Sequence, residues 1–226
     1  MHEIKKIADV KPFQKPQDSV FSMLFTRRLS RILTFILVKA DKGVTPNKVS
    51  TFSFLLAVIA CVLFVYEDYW ARFAGVILLQ LSFAFDCSDG EIARIKNMSS
   101  KFGAWLDSVY DRIKEVLMFA SMTLYWFLYE ERAVWVLLVG FFAIIGLLLV
   151  SYLREAKRSS WPSNRVSELF IAKDIYVGTV DVTIYLVSFA VLFNFQVYIL
   201  TVFLLVSIPL LAKQFLSAYR LSKKEI

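Results

Sequence analysis

A series of long apolar runs constrains the fold of this chain more than any other feature of its sequence. Five runs are continuous, and one opens with several carboxylates before it turns apolar. The runs cover residues 49–66, 70–85, 102–129, 133–152, 175–193 and 197–212. A helix needs about 20 residues to cross the hydrocarbon core of a bilayer, and it satisfies its backbone polar groups without water. The sequence therefore predicts an all-α, polytopic membrane protein with six transmembrane helices.

The composition agrees with this prediction. Hydrophobic residues make up 58% of the 226 positions and charged residues 20%, whereas a soluble domain is nearer half apolar and a quarter charged. This balance argues against a disordered chain, a soluble enzyme or a secreted disulfide scaffold. Cys61 and Cys87 form no paired motif and His2 is the only histidine, so no disulfide framework, zinc site or histidine-based site is predicted. The N-terminal residues are polar and mixed in charge, so no signal peptide is expected.

The distribution of basic residues predicts how the chain is oriented in the cell membrane. With six spans, 24 of the 26 Lys and Arg residues fall on one side, and only Arg72 and Arg132 fall on the other. Basic residues concentrate in the cytoplasm, so both termini and the helix ends rich in carboxylates are expected there. The net charge of +7 thus reflects membrane topology, and no nucleic-acid partner is predicted.

Residues 18–40, ahead of the first run, repeat apolar side chains at three- and four-residue steps. Arg27, Arg28 and Arg31 interrupt the repeat, and arginines near the middle of a span cost roughly 2.5–3.5 kcal/mol each. An amphipathic helix lying on the cytoplasmic leaflet is therefore predicted. The chain divides into an N-terminal cytoplasmic segment (1–17), this juxtamembrane helix with its turn (18–44) and a six-helix membrane domain (45–226).

Two predicted helices carry a cluster of acidic residues at matched spacing. Because side chains three and four residues apart share a helix face, each helix presents one polar face. The first face carries Asp86, Asp89, Gly90 and Ala93, with Arg94 at its edge. The second carries Gly103, Asp107 and Asp111. A short connection over residues 95–102 makes the helices an antiparallel hairpin, so the four carboxylates are expected to point into one space.

Four neighbouring anions repel strongly unless cations neutralise them. Oxygen ligands favour hard divalent ions, so one or two Mg²⁺ or Mn²⁺ ions are predicted, with Ca²⁺ as an alternative. Structural explanations compete for single residues: small residues on a helix face often serve packing, and Glu91 and Glu115 are expected to pair with Lys114 or Arg112. Four carboxylates on two matched faces are harder to explain by structure alone.

The spacing of these residues resembles a family signature. The pattern Asp-x₂-Asp-Gly-x₂-Ala-Arg-x₈-Gly-x₃-Asp-x₃-Asp is similar to that of the CDP-alcohol phosphotransferases, with all eight identities present between positions 86 and 111. The resemblance implies a membrane enzyme that transfers a substituted phosphate group from a CDP-alcohol to the hydroxyl of a second alcohol and releases CMP. It also implies a homodimer, and it makes the region 45–226 the catalytic domain.

The same resemblance implies roles for individual residues. Asp86, Asp89, Asp107 and Asp111 would hold the metal, and Asp111 would also be the base that takes the proton of the acceptor hydroxyl. Gly90, Ala93, Arg94 and Gly103 would line the nucleotide pocket. The donor would be CDP-diacylglycerol or a CDP-polyol, and the acceptor an alcohol or a phosphorylated alcohol.

A second group of residues suggests where the acceptor binds. Arg154, Arg165 and Lys173 either contact anionic membrane lipids or form a pocket for a phosphate on the acceptor. The segment 100–112 is similar to that of family members that use inositol phosphates, although Lys173-Asp174-Ile175-Tyr176 stands where an Arg-Asp-x-Arg-like run is expected. Asp181 would orient a basic residue or bond to an acceptor hydroxyl.

Two other functions fit some of these observations. A divalent-cation transporter or channel would use clustered carboxylates as an ion path, but such a path needs polar groups across the bilayer, and these carboxylates crowd one end. A scaffold with a degenerate site would not need every motif position, and every one is present. The phosphotransferase is therefore the favoured interpretation.

Overall fold

The computed structural model describes residues 4–15, 22–40, 43–161, 170–172, 175–176 and 179–223. These residues are helical apart from their connections and a small antiparallel hairpin of β1 (Phe170–Ala172) and β2 (Ile175–Tyr176). Shorter helical turns cover Ile7–Phe13, Ser22–Thr26 and Trp126–Glu130. The main helices are α1 (Arg27–Ala40), α2 (Pro46–Phe64), α3 (Tyr69–Ile95), α4 (Lys101–Tyr125), α5 (Val134–Ser160), α6 (Thr179–Phe193) and α7 (Gln196–Ser222).

Local sequence signals explain where the helices that carry the acidic cluster begin. Helix α2 starts with Pro46 in its first turn, where proline's missing N–H costs nothing. Asp68 caps α3 by accepting a hydrogen bond from the Ala71 N–H at 2.7 Å. Ser100 caps α4 by accepting one from the Gly103 N–H at 3.0 Å. Because only a short connection separates α3 from α4, their polar side chains can meet.

The largest apolar core lies among α2 to α7. Its fully buried side chains include Phe64, Phe119, Met122, Val187 and Leu200. A second, smaller core joins the N-terminal segment (here residues 4–15) to α1, α2 and α3. Its buried members are Ile4, Val10, Val38, Val49, Ile92 and Ile95. This second core fixes the N-terminal segment against the end of α3 that carries the acidic residues.

Four of the described helices are long and apolar enough to cross a membrane. They are α2, α3, the part Val134–Lys157 of α5, and α7. Helix α4 has 25 residues but carries charged side chains in its first half, and α6 has 15 residues. Large apolar side chains on these helices are exposed, for example Trp70 and Val134 at 70% and Leu205 at 60%. Surfaces of this kind suit contact with lipid.

A buried arginine connects three helices at the opposite end of α3. The Arg72 guanidinium donates to the Val191 carbonyl at 3.0 Å and to the Asn194 side chain. It also lies over the Tyr125 ring, 4.8 Å from the ring centroid. The Arg72 side chain is only 5% exposed, and these contacts tie α3 to α4 and to the end of α6.

Candidate active site

Three carboxylates from two helices converge in the polar end of the structure. Asp86 and Asp89 lie one turn apart on α3, and Asp107 lies near the start of α4. One oxygen from each carboxylate lies within 4.8 Å of the others. Asp89 is buried and the other two are half-buried. This spacing lets a single small cation contact all three side chains.

The hydrogen bonds of these carboxylates leave one oxygen unsatisfied. Ser50 on α2 lies against Asp89, with its hydroxyl 2.5 Å from the Asp89 Oδ2 acceptor. Asp107 Oδ1 is buried and has no hydrogen-bond partner among the described residues. A buried carboxylate oxygen without a partner is costly. An all-carboxylate set with an open oxygen fits a hard divalent cation such as Mg²⁺ or Mn²⁺.

The fourth carboxylate reaches this cluster through a lysine. Lys114 Nζ lies 2.5 Å from Asp86 Oδ1 and 2.9 Å from Asp111 Oδ1. The structure thus brings three of the four carboxylates directly together. Asp111 instead forms an ion pair with Lys114, which lies one turn further along α4. Residues at i and i+3 on a helix are neighbours, and that spacing is the sequence signal that could have identified this pair.

Glu91 and Glu115 each form an ion pair with an arginine, and only the partner of Glu115 is the one predicted from sequence. Arg112 Nη1 lies 2.6 Å from Glu115 Oε2, as the sequence predicts. The prediction that Glu91 pairs with Lys114 or Arg112 is wrong, because Glu91 pairs with Arg27 of α1 at 3.4 Å. That partner is 64 positions away in sequence, so no helical spacing rule could reveal it.

Glu91 is fully buried in a polar network built by α1 and the N-terminal segment. Ser30 and Thr34 donate hydroxyl hydrogen bonds to its two oxygens at 2.7 and 2.6 Å. Gln14 donates to it from the N-terminal segment at 2.9 Å. Arg27 is itself only 6% exposed. One of the arginines predicted to interrupt the surface helix thus lies against α3 and neutralises a buried carboxylate there.

The residues expected to line the nucleotide pocket border the same cluster. The Arg94 guanidinium lies beside Gly90, where an added Cβ would be 3.6 Å from both terminal nitrogens. Arg94 Nε donates to the Phe13 carbonyl at 2.5 Å, so the N-terminal segment holds this side chain. An added Cβ on Gly103 would lie 3.1 Å from Asn47 Oδ1 and from Ser100 Oγ. A side chain at Gly103 would therefore require these neighbours to shift by a few tenths of an ångström. Ala93 is half-buried on the face of α3 that carries Asp89.

The structure describes only part of the expected acceptor pocket. Arg154 is half-buried on α5, one turn after Ser151, to which Arg112 of α4 donates a hydrogen bond. Arg165 and Lys173 lie outside the described residues. Asp181 belongs to α6, but its side chain is also outside the described part.

Comparison with known proteins identifies the family. The profile for CDP-alcohol phosphatidyltransferases matches residues 43–214, which include α2 to α6, most of α7 and every residue of the acidic cluster. This chain belongs to the CDP-alcohol phosphatidyltransferase family.

Several curated members of the CDP-alcohol phosphatidyltransferase family are similar to the chain. The bifunctional IPC transferase and DIPP synthase of Aquifex aeolicus is 32% identical over 144 residues, which cover 64% of this chain and 31% of the relative. The archaetidylinositol phosphate synthase of Pyrococcus horikoshii is 33% identical over 117 residues, which cover 51% of this chain and 56% of the relative. The chain thus spans between about a third and a little over half of the length of these relatives.

Solved structures share the fold. The phosphatidylinositol phosphate synthase of Mycobacterium tuberculosis in complex with manganese and citrate aligns with a TM-score of 0.65 at 19% identity, over 84% of this chain and 88% of that chain. The structure of the same protein with CDP-DAG bound aligns with a TM-score of 0.63 at 18% identity, over 85% of this chain and 94% of that chain. The six main helices α2 to α7 are thus arranged in a known membrane-enzyme fold.

Some residues near the CDP-alcohol phosphatidyltransferase site were not singled out by sequence. Phe13 and Gln14 precede the family match, yet they contact Arg94 and Glu91. Lys114 lies inside the match but outside the signature. Apolar residues such as Ile4 and Val10 in this polar stretch are the sequence hint that the N-terminal segment packs, and both are buried.

Proposed function

We propose that the chain is a membrane-bound, metal-dependent CDP-alcohol phosphotransferase. It transfers a substituted phosphate group from a CDP-alcohol to the hydroxyl of an alcohol acceptor and releases CMP. The observation that carries this proposal is the convergence of Asp86, Asp89 and Asp107, in a chain that belongs to the family. Within the described part of the chain, the buried Asp107 Oδ1 has no hydrogen-bond partner.

The three converging carboxylates are the proposed ligands of Mg²⁺ or Mn²⁺. When bound, the ion neutralises the diphosphate and the charge that develops on the transferred phosphate. The manganese complex of the Mycobacterium tuberculosis synthase supports this choice of metal. Gly90, Ala93 and Gly103 would line the nucleotide pocket, and the guanidinium of Arg94 would donate hydrogen bonds to a phosphate.

Asp111 is proposed as the base. It takes the proton of the acceptor hydroxyl while the acceptor oxygen forms its bond to the phosphorus of the donor. The bond between that phosphorus and the bridging oxygen of the diphosphate breaks, and CMP leaves with that oxygen. The contact with Lys114 at 2.9 Å holds the Asp111 carboxylate in place.

The proposed donor is a CDP-activated lipid such as CDP-diacylglycerol, and the proposed acceptor is a phosphorylated alcohol related to inositol phosphate. Support comes from relatives named for inositol phosphate lipids and from the structure with CDP-DAG bound. Arg154, Arg165 and Lys173 would bind the acceptor phosphate, and Asp181 would orient one of them or bond to an acceptor hydroxyl.

The proposed topology has six spans, formed by α2 to α7, with α1 lying at the cytoplasmic surface. Both termini and the active site face the cytoplasm, because 24 of the 26 basic residues fall on that side of such a layout. We also propose a homodimer. The exposed apolar side chains of α7, such as Leu205 and Ile208 at 60%, would face lipid or the second protomer.

Release of CMP by the purified protein tests the proposed function. CDP-diacylglycerol and CDP-inositol are supplied separately with Mg²⁺, each with inositol 1-phosphate, inositol or glycerol 3-phosphate. We expect release with one donor–acceptor pair and its loss in Asp107→Asn, whereas Lys48→Ala, an exposed change on α2, leaves it intact. Absence of metal-dependent CMP release and of metal-dependent CDP binding would overturn the proposal. Transport of Mn²⁺ into liposomes without CMP release would favour a transporter instead.

A further inference from the structure

The Lys114 ammonium occupies the gap between Asp86, a proposed metal ligand, and Asp111, the proposed base. Its Nζ lies 2.5 Å from Asp86 Oδ1 and 2.9 Å from Asp111 Oδ1. The residue is only 8% exposed, and its stem rises from the same face of α4 as Asp111. The lysine is therefore built into the site and is not a surface charge that happens to lie nearby.

Distance divides the four aspartates of the signature into a group of three and a separate fourth residue. Oxygens of Asp86, Asp89 and Asp107 lie within 4.8 Å of one another, while Asp111 is reached through Lys114. The nearby arginines pair with other carboxylates: Arg112 pairs with Glu115 and Arg27 pairs with Glu91. Among the cations whose positions are described, Lys114 is the one that forms ion pairs with this cluster.

We infer that this chain binds a single divalent ion per protomer, at Asp86, Asp89 and Asp107, and that the Lys114 ammonium takes the place of a second. This inference rests on the proposed function. A second ion would need Asp111 as a ligand and would share Asp86 with the first. Ligand oxygens approach Mg²⁺ to about 2.0–2.1 Å, so an ion held by Asp86 and Asp111 would compete for the gap that Nζ fills.

The charges give this arrangement a chemical consequence. A fixed ammonium and a divalent cation in the same gap would repel each other at short range. A lysine ammonium is a compact charge with three donors, so it offsets part of the negative charge of Asp86 and Asp111 whether or not metal is present. Lys114 thus acts as a positioning residue for Asp111 and sets how many ions the site holds.

Counting bound Mn²⁺ tests the inference without relying on turnover. The full chain in detergent is titrated with Mn²⁺, and free ion is followed by electron paramagnetic resonance. We expect one ion per chain in the wild type and two in Lys114→Ala, with the spectral coupling of ions about 3.5–4 Å apart. Lys114→Arg keeps one ion. Lys157→Ala removes an equally buried lysine on α5, which bonds to Gln214 and Ser217, and it should also keep one.

The outcomes separate this inference from the proposed function. Two coupled ions in the wild type would overturn the inference while leaving the enzyme intact, and this result needs no variant to fold. One ion in both the wild type and Lys114→Ala would also overturn it, and Lys114→Gln repeats the comparison with a side chain of similar length. No bound Mn²⁺ together with no CMP release would overturn the proposed function itself.

Discussion

Two buried acidic regions lie within one turn of each other on α3, and they differ in how completely their carboxylates are hydrogen-bonded. Glu91 is fully buried, and both of its oxygens accept hydrogen bonds from α1 or the N-terminal segment. The neighbouring cluster joins Asp89 to Asp107, whose Oδ1 has no partner among the described residues. Burial of a carboxylate is common to both regions, so burial alone does not identify the active site.

The difference lies in how completely each charge is satisfied. A carboxylate paired with a cation and several donors supports the fold, and breaking such a pair is costly. A carboxylate left with an open oxygen weakens the fold and has to be explained by a ligand. The Glu91 network is therefore expected to govern stability, and the aspartate cluster to govern ligand binding and catalysis.

The largest effect on stability is expected from Glu91→Gln. The change leaves the Arg27 charge buried without its carboxylate, which costs about 3 kcal/mol or more of the free energy of unfolding. Chemical denaturation in detergent measures this loss. The exposed Glu130→Gln is the control and should leave stability unchanged. The paired variant Arg27→Met with Glu91→Met should recover most of the loss, and a failure to recover would show that the ion pair is not the cause.

Asp107→Asn should have the opposite effects: a large loss of CMP release and no loss of stability. Even partners outside the ligand shell of a metal site contribute about 10- to 100-fold to activity or affinity, so loss of a ligand should lower CMP release by about a hundredfold or more. Stability without metal should stay equal or rise, since the change removes one of several mutually repelling anions. Activity and denaturation are measured on the same sample. Strong destabilisation of Asp107→Asn would contradict the assignment of stability to the Glu91 network and of activity to the aspartate cluster.

Metal addition should raise the free energy of unfolding only in proteins whose aspartate cluster is intact. Mn²⁺ at 100 times its dissociation constant should raise the free energy of unfolding of the wild type by about 2.7 kcal/mol. The Glu91→Gln protein should gain a similar increment, because its aspartates are intact, whereas Asp107→Asn should gain little. Denaturation with Mn²⁺ and with a chelator gives the comparison. Equal stabilisation of all three proteins would place the metal elsewhere.

The smallest effect is expected from Gln14→Ala. Gln14 donates to Glu91 at 2.9 Å and accepts from Arg31 at 2.9 Å, and a hydrogen bond to a charged group is worth about 1.5–3 kcal/mol. We expect a loss near the lower end of that range and CDP binding weakened a few-fold, because the adjacent Phe13 carbonyl holds Arg94. Calorimetry with CDP measures the affinity. The exposed Lys11→Ala should change neither quantity.

Sequence periodicity predicted the parts of the site that depend on local geometry. Asp86 and Asp89 share a face because a helix places them there, and the short connection after α3 brings Asp107 to them. Pro46 and Ser100 mark the starts of α2 and α4 in the structure, and both are local signals of this kind. The six spans and the domain boundaries remain predictions, whereas the experiments above address the roles of individual residues.

Contacts made by long side chains over long sequence separations could not be predicted in this way. Lys114 reaches Asp111 at i−3 on its own helix, but only the packing of α3 near α4 selects Asp86 as its second partner. The partners of Glu91 come from the segment that sequence alone placed in the cytoplasm and from the helix that it placed at the membrane surface. The hairpin of β1 and β2 falls partly within a run that was expected to be helical, where β-branched residues and a short length leave the conformation to tertiary context.

Arg72 and Glu91 also differ in when their partners become available during synthesis. The partners of Glu91 all precede it in the chain, so they exist as soon as the ribosome has made it. Arg72 must wait for the Val191 carbonyl, 119 residues later, which takes about 6 to 24 s at 5–20 residues per second. During that interval α3 carries an arginine near its end without these final contacts. Completion of α6 is therefore the step at which a newly made chain secures the N-terminal end of α3, and chains truncated before it should be poor at retaining their folded form.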